Sequence, residues 1–583
     1  MEISNIGRPR NVGWVRAAAL LYGDWGTSKA YVIGLALFSV GFAALPHLLA
    51  VSALTALVGV NYIWICKYFP SGGGVYAAAG LHSRRLAMIG GLLLLADYIV
   101  TASLSCLDAF HYLGFDQLQA RKWAITAIFV IGAMNLFGPK HSGIVAVWLA
   151  LPTVIVVILL IASGVPHLHE FKTEPVTDGL AHNWVAFVGM ILALSGVEAA
   201  ASSTGVLRLD PDASVDRPSV RITSRRAVMV VMIEVVLGTA LLSVLAMCLP
   251  QEAVTHKEDL LRFMGQVFVG QKFSLLVGCV FALLLLSAVN TAIGGMVALL
   301  YVMARDREMP EAFGNLNKYG VPWLALILST ILPVIVLNVD DSVEGLSHLY
   351  AIGVVGAITI NVGSCAFARS LPVKRGERIT MAVTLTILAA IWITIALTKL
   401  QALLFVAVVL ALGLGVREYT QRRQRRLAAA PAAPQPPPAA PTVPGAATAP
   451  FLGQSIMVAA RGWTPALQFA LEETRVRGAQ LLVLYIREVA VPVDMGGKWQ
   501  DDPQAKALFT RLEAEAQGLK VNKLYSVSDS PADTIIDIAA TFGVDTVVLG
   551  GSRRATLVNL LKGNVVARVA ANLPEPMHLI VIG

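Results

Sequence analysis

An apolar run over residues 14–42 is long enough to cross a bilayer, yet over 20–31 it reads L-L-Y-G-D-W-G-T-S-K-A-Y. Hydrocarbon offers no hydrogen-bond partners, so a span must satisfy its own backbone unless it is buried in protein or lines a cavity. Gly23 and Gly26 loosen the helix here, and Asp24, Thr27 and Ser28 bring oxygens to membrane depth. Asp24 and Lys29 bring charge, and an ionisable residue inside the membrane marks a functional site by default. Two readings are open. One is a glycine-kinked structural helix in which Asp24 pairs with Lys29. The other is a broken helix whose freed carbonyls and aspartate face a cation, as in many secondary transporters.

The chain has 583 residues, 56% hydrophobic and 14% charged. Soluble proteins carry about a quarter charged residues, so this composition describes a membrane protein with something soluble attached. The formal charge of +8 does not point to nucleic acid. Its Lys and Arg residues gather in short loops, such as Arg84 and Arg85 or Arg221, Arg225 and Arg226, beside apolar runs, which is the positive-inside pattern. Apolar runs suggest twelve crossings, near 14–42, 44–66, 86–111, 122–138, 143–164, 183–206, 226–249, 272–303, 321–339, 345–369, 379–397 and 400–416. An even number places both termini in the cytoplasm of a multi-pass protein of the inner (plasma) membrane. The N-terminus, M-E-I-S-N-I-G-R-P-R, is polar and basic and lacks the apolar stretch of a cleavable signal. The five cysteines lie in apolar segments at no metal-ligand spacing and read as small buried hydrophobes. No nucleophile–base pair, metal-spacing cluster or intact P-loop suggests an enzyme, so no catalytic residue and no required cofactor is expected.

Other crossings carry matching irregularities. The second ends in K-Y-F-P-S-G-G-G-V-Y, where Pro70 and the glycines at 72–74 cannot continue a helix. In the third, Asp97, Thr101 and Ser105 are spaced by four and share a face, with Tyr98 alongside. Such a stripe either stitches helices together or lines a site. The sixth reads L-A-L-S-G-V-E-A-A-A-S-S-T-G, which puts Ser195, Gly196 and Glu198 at membrane depth. If the first ten crossings form two five-helix halves, this second weakened helix corresponds to the first, and such pairs point to a transporter site. Glu234 in the seventh crossing either relays protons or turns to the cytoplasmic interface near Arg226. Asn290 and Thr291 in the eighth face a cavity or join helices, and Tyr350 opens a Gly-rich tenth.

Together these segments resemble the amino acid–polyamine–organocation superfamily, most closely its proton-coupled potassium importers of the KUP and KimA types. Residues 23–31 match the signature G-D-x-G-T-S-x-x-Y, and P-S-G-G-G-V-Y, D-Y-I-V-T-A-S-L-S, G-V-E-A, the N-T-A…A-R-D…P run and L-Y-A-I-G-V match further motifs in order. The resemblance covers about 14–415. It implies an α-helical integral membrane protein of about twelve transmembrane helices with inverted five-helix repeats, of the LeuT/APC type. It also implies potassium-binding positions at Asp24, Tyr31, Tyr98, Thr101, Ser105, Ser195 and Tyr350. Proton coupling falls on Asp24, Asp97, Glu198 and Glu234, and transported potassium is the only metal. Amino-acid permeases share the broken first and sixth helices but usually present consecutive small residues whose amides hold a substrate carboxylate. An aspartate in that break repels a carboxylate and attracts a cation. Lys29 departs from the pattern. Its ammonium repels potassium or stands in for it, unless the helix restarts after Ser28 and turns it toward another helix or the outer vestibule. The expected function is therefore proton-coupled potassium symport by alternating access. The alternatives are an amino-acid or organic-cation permease, and a membrane-anchored nucleotide sensor with a vestigial transporter core.

Residues 417–453 read as a linker, first basic (R-E-Y-T-Q-R-R-Q-R-R) and then rich in Ala and Pro. From 454 to 583 strand and helix signals alternate, as in a parallel sheet covered on both faces. This cytosolic α/β tail resembles the universal stress protein family, most clearly over D-T-V-V-L-G-G-S-R-R…L-K-G-N-V-V-A-R-V. Nucleotide-binding members carry G-x2-G-x9-G-[ST]; aligning Gly550 and Gly563 puts Arg553 at the middle glycine and Asn564 at the Ser/Thr place, with Gly551 and Arg554 as further candidates within the motif. The resemblance implies a regulatory nucleotide (ATP, AMP or cyclic di-AMP) or, alternatively, a dimerisation module without ligand. It also implies a homodimer in the lipid bilayer that engages potassium and protons and no nucleic acid.

Overall fold

The computed structural model describes residues 3–6, 10, 12–72, 74–138, 143–176, 179–194, 196–213, 218–428, 454–491, 499–551, 559, 562–575 and 577–583. The membrane part begins with α1 (Trp14–Trp25) and α2 (Ser28–Val40), the two halves of one interrupted span, followed by α3 (Leu45–Tyr68) and the short α4 (Gly74–Gly80). Then come α5 (Arg84–Tyr112), α6 (Gln117–Asn135) and α7 (Gly143–Gly164). A second interrupted span consists of α8 (Leu180–Gly189), a 3-10 turn over Ile191–Leu194 and α9 (Ala199–Ser202). The rest is α10 (Arg221–Ala246), α11 (Leu260–Phe268), α12 (Gln271–Arg305), α13 (Trp323–Val339), α14 (Val343–Phe367), α15 (Arg375–Thr398) and α16 (Leu400–Ala428).

Among the described residues nine helical stretches are long and apolar enough to cross a membrane, or ten if the bent pair around Met190 counts as one span. The remaining two of the twelve expected crossings are occupied by α6 and by the 17-residue α13. Burial sorts them into layers. The most apolar stretches of α5 and α14 are 89% and 83% enclosed by the chain, whereas those of α15 and α16 are 28% and 22% enclosed. So α5 and α14 form the centre, and residues such as Leu397 and Leu412 turn outward, where bilayer rather than water accounts for exposed leucine. Four cysteines are buried as expected, but Cys279 lies exposed on this outer surface.

The basic run assigned to the linker stays helical to Ala428. Arg417 Nε lies 2.5 Å from Glu308 Oε2, and Gln421 Nε2 donates to the same oxygen at 3.1 Å, so buried Glu308 holds the end of α16 against the body.

The tail is a parallel sheet of β2 (Ser455–Ala459), β3 (Gln480–Glu488), β4 (Val521–Ser528), β5 (Thr546–Gly550) and β6 (His578–Ile582), with α17 (Pro465–Arg477), α18 (Pro503–Glu515), α19 (Pro531–Phe542) and α20 (Val565–Asn572). Its order is β1-β4-β3-β2-β5-β6. The strands β2 to β6 alternate with helices, as the strand and helix signals of 454–583 do. The surprise is β1, which is Ile3–Ile6 at the N-terminus and pairs parallel with Lys523–Ser526 of β4. An open sheet edge leaves a row of unpaired amides and carbonyls, and this short segment satisfies it.

Candidate functional site

The interruption between α1 and α2 is a tight turn with its own hydrogen bonds. Gly26 N donates to Tyr22 O at 2.9 Å and Thr27 N to Asp24 O at 3.2 Å. Thr27 Oγ1 donates to Asp24 O at 2.6 Å and Ser28 Oγ to Trp25 O at 2.9 Å. These hydroxyls take carbonyls that the helical ladder would otherwise use, which is how short polar side chains end a helix. Thr27 Oγ1 also shares a hydrogen bond of 3.1 Å with Tyr31 OH.

The second interruption packs directly on the first. Gly196 has φ +88°, and a Cβ there would come within 2.7 Å of the Asp24 carbonyl carbon. Only glycine allows both the left-handed backbone and this approach. We therefore expect Gly196→Ala to lower stability by about 2 kcal/mol, through strained φ and overpacking together. Thermal unfolding of the purified protein measures this, and an unchanged midpoint would contradict the backbone-to-backbone contact.

Around these breaks the structure gathers three carboxyl groups. Asp24 is 1% exposed, Asp97 0% and Glu198 4%. Asp24 is the strongest charged neighbour of Asp97, and Asp97 and then Asp24 are those of Glu198. Asp24 Oδ1 and Glu198 Oε2 have no hydrogen-bond partner among the described residues, and Tyr350, Thr101 and Glu198 surround the Asp97 carboxyl. Tyr98 and Tyr350 are buried within the field of all three acids, and Tyr350 also neighbours Tyr31. Small residues permit this crowding: a Cβ on Gly353 of α14 would lie 3.0 Å from Asp97 N, and one on Gly295 of α12 would lie 2.8 Å from the Tyr98 ring. Buried neighbouring carboxyl groups cannot all ionise unless protons or a cation neutralise them.

Lys29 does not serve that purpose. The helix restarts at Ser28, and Lys29, 0% exposed, places Nζ 2.7 Å from both carboxylate oxygens of Glu234 on α10. Tyr22 OH completes the group, accepting from Lys29 Nζ at 3.2 Å and donating to Glu234 Oε1 at 3.0 Å. The Asp24–Lys29 pair of a merely kinked helix is thus replaced by a Lys29–Glu234 pair. Glu234 is turned toward Lys29 rather than toward Arg226. Tyr22 is the member that sequence reasoning missed, and its only signal was its place seven residues before Lys29.

Of the remaining candidate residues, Thr101 Oγ1 donates to the Asp97 carbonyl at 2.9 Å, while Ser105 is buried with its hydroxyl unpartnered. Asn290 accepts from Asn135 at 2.7 Å and so joins α12 to α6. Ser195 lies outside the described residues, as do Arg553 and Arg554. In the tail, Gly551 N is engaged by Ile582 O at 2.7 Å, and Asn564 caps α20 by accepting from Val566 N and Ala567 N. Gly550 ends β5 and Gly563 adopts φ +76°. At the carboxyl ends of the strands Glu488 binds Arg461 at 2.6 Å and Lys562 at 2.7 Å. Lys562 Nζ also donates to Tyr319 O of the membrane part at 2.5 Å, and Ala490 N to Gly320 O at 2.9 Å.

Comparison with known proteins agrees with this division. Residues 12–416 match the model of the amino acid permease family, and residues 456–580 match that of the universal stress protein family. The potassium transporter KimA of Bacillus subtilis is 24% identical over 382 residues, 60% of this chain and 60% of that protein. The aromatic amino acid transport protein AroP of Salmonella typhimurium is 24% identical over 300 residues, 47% of this chain and 62% of that protein. A probable amino-acid permease of Schizosaccharomyces pombe is 25% identical over 200 residues, 32% of this chain and 37% of that protein. The chain spans less than two thirds of the length of each of these relatives.

Proposed function

The chain belongs to the amino acid permease family of multi-pass membrane transporters, and from that premise we propose that it is a proton-coupled potassium symporter. It works by alternating access in the inner membrane, with both termini in the cytoplasm. The observation that carries this reading is the buried group of Asp24, Asp97 and Glu198, in which Asp24 Oδ1 and Glu198 Oε2 have no partner among the described residues while the Lys29 ammonium is bound by Glu234. A substrate carboxylate needs free amides, and those of Gly26 and Thr27 are engaged within the break. A potassium ion needs oxygens in place of its hydration shell, and Asp24, Tyr31, Tyr98, Thr101, Ser105, Ser195 and Tyr350 are assigned to supply them. Asp24 provides the countercharge, and Asp97 and Glu198 exchange the proton with it. Glu234 is assigned to hold Lys29 rather than to carry protons.

The similarity to AroP at the same identity supports a second reading, transport of an amino acid or organic cation whose ammonium meets the acids. One experiment separates them. Purified full-length protein in liposomes is expected to accumulate rubidium under an inward proton gradient, and uptake should collapse with a protonophore. Uptake of a labelled aromatic amino acid without cation flux would replace potassium by the second reading.

The universal stress protein domain is assigned a regulatory role, with a nucleotide (ATP, AMP or cyclic di-AMP) as effector and a second chain as partner. Support for regulation comes from the Lys562 bond to Tyr319 O, which ties the ligand end of the tail's sheet to a loop of the transporter.

A further inference from the structure

The polar stripe of α5 continues past the central acidic group. Asp97, Thr101, Ser105 and Asp108 follow at spacings of four, four and three, so they lie along one side of the helix toward its Tyr112 end. That end is remote from the tail, which meets the loop at 319–320. Asp108 is 0% exposed, and among the described residues neither of its carboxylate oxygens has a hydrogen-bond partner; the Ser105 hydroxyl is likewise buried and unpartnered there. A buried carboxylate kept for structure acquires donors, because leaving it unpaired is costly.

A lid lies over this end of the helix. The segment leading into α11 approaches α2 so closely that a Cβ on Gly34 would lie 2.9 Å from the Lys257 carbonyl carbon. Its Glu258 and Asp259 are the charged groups that act on Asp108. Each already has a partner. Glu258 Oε2 is 3.4 Å from His111 Nδ1, and Asp259 is 2.8 Å from His256 Nδ1 and 3.8 Å from Arg262 Nη1. Lys257 Nζ sits over the Phe38 ring at 4.5 Å. Asp259 has a permanent countercharge in Arg262, whereas a histidine beside Glu258 offsets it only when protonated, and among the described residues no cation is bound to Asp108.

We propose that Asp108, with the Ser105 hydroxyl and the lid carboxylates of Glu258 and Asp259, forms a second cation site at the Tyr112 end of α5. Hydroxyl and carboxylate oxygens are hard donors, the same kinds assigned to the central site, and such donors suit an alkali cation. The site's role as a waiting position before the central acids rests on the cation reading proposed above, but its existence does not. The His111–Glu258 contact closes it beneath the lid.

Equilibrium binding of thallium(I) to the full-length Asp24→Asn protein tests this, because that change removes the countercharge of the central site. Saturable binding is expected to persist in Asp24→Asn and to weaken at least roughly ten-fold when Asp108→Asn is added. A second variant, Glu258→Gln in the same background, leaves the helix untouched and is expected to weaken binding by roughly three-fold. No saturable binding to Asp24→Asn, or binding indifferent to both further changes, overturns the site. Wild-type liposomes that take up no rubidium while Asp108-dependent thallium binding persists would sink the symport reading and leave this site standing.

Discussion

Glu234→Gln is expected to destabilise the protein by about 3 kcal/mol, the low end for losing one partner of a buried ion pair, because Lys29 is fully buried while the Glu234 side chain is 18% exposed. Lys29 is 0% exposed and directs Nζ at both Glu234 oxygens. A neutral amide returns one acceptor oxygen and brings an NH2 group where the ammonium needs negative charge. Tyr22 OH, which donates to Glu234 Oε1, still finds an acceptor, so the loss concentrates on Lys29. The pair joins α2, the second half of the interrupted span, to α10, and its loss therefore loosens the break as well as the fold. Removing both charges together, Lys29→Met with Glu234→Met, is expected to recover most of the stability, because well-packed apolar residues often replace a buried pair at little cost. Thermal unfolding in detergent gives both values. If the single variant melts with wild type, or the double variant melts far below the single, the pair does not hold these helices.

The break itself was legible in the sequence because its causes are local. Gly26 and the hydroxyls of Thr27 and Ser28 disturb only carbonyls a few residues away. The partner of Lys29 was not legible, since Glu234 lies 205 residues later and the pairing depends on which side of α10 faces α2. The same reason hid the helical state of the basic run: its stabilising acid, Glu308, belongs to another loop. No periodicity could announce β1, whose four residues become a strand because β4 leaves an edge to fill. The stripe at 97, 101 and 105 was visible by spacing. Its extension to Asp108 gained meaning only when the lid at 256–259 was seen to lie over it, because a lone aspartate near a helix end carries no signal of burial.

Asp24→Asn is expected to abolish proton-driven rubidium uptake while leaving the fold intact. The hydrogen bonds seen in the turn use the Asp24 backbone: Thr27 bonds its carbonyl, and Oδ1 has no partner among the described residues. Function relies on its charge. At about 4 Å and an effective dielectric of about 20, a carboxylate attracts a monovalent cation by about 4 kcal/mol. Losing that attraction weakens binding by roughly a thousand-fold, enough to reduce uptake below measurement at millimolar rubidium. Asparagine keeps the shape and an oxygen, so the unfolding temperature should stay close to wild type or rise, since a buried like charge has left the group. The two readouts must separate for the reading to hold. Uptake that survives in Asp24→Asn would move the countercharge to Asp97 or Glu198, and the first break would then be a hinge rather than part of a cation site. A parallel fall in stability and uptake would instead mean that Asp24 holds the turn together through its side chain, contrary to the hydrogen bonds seen there.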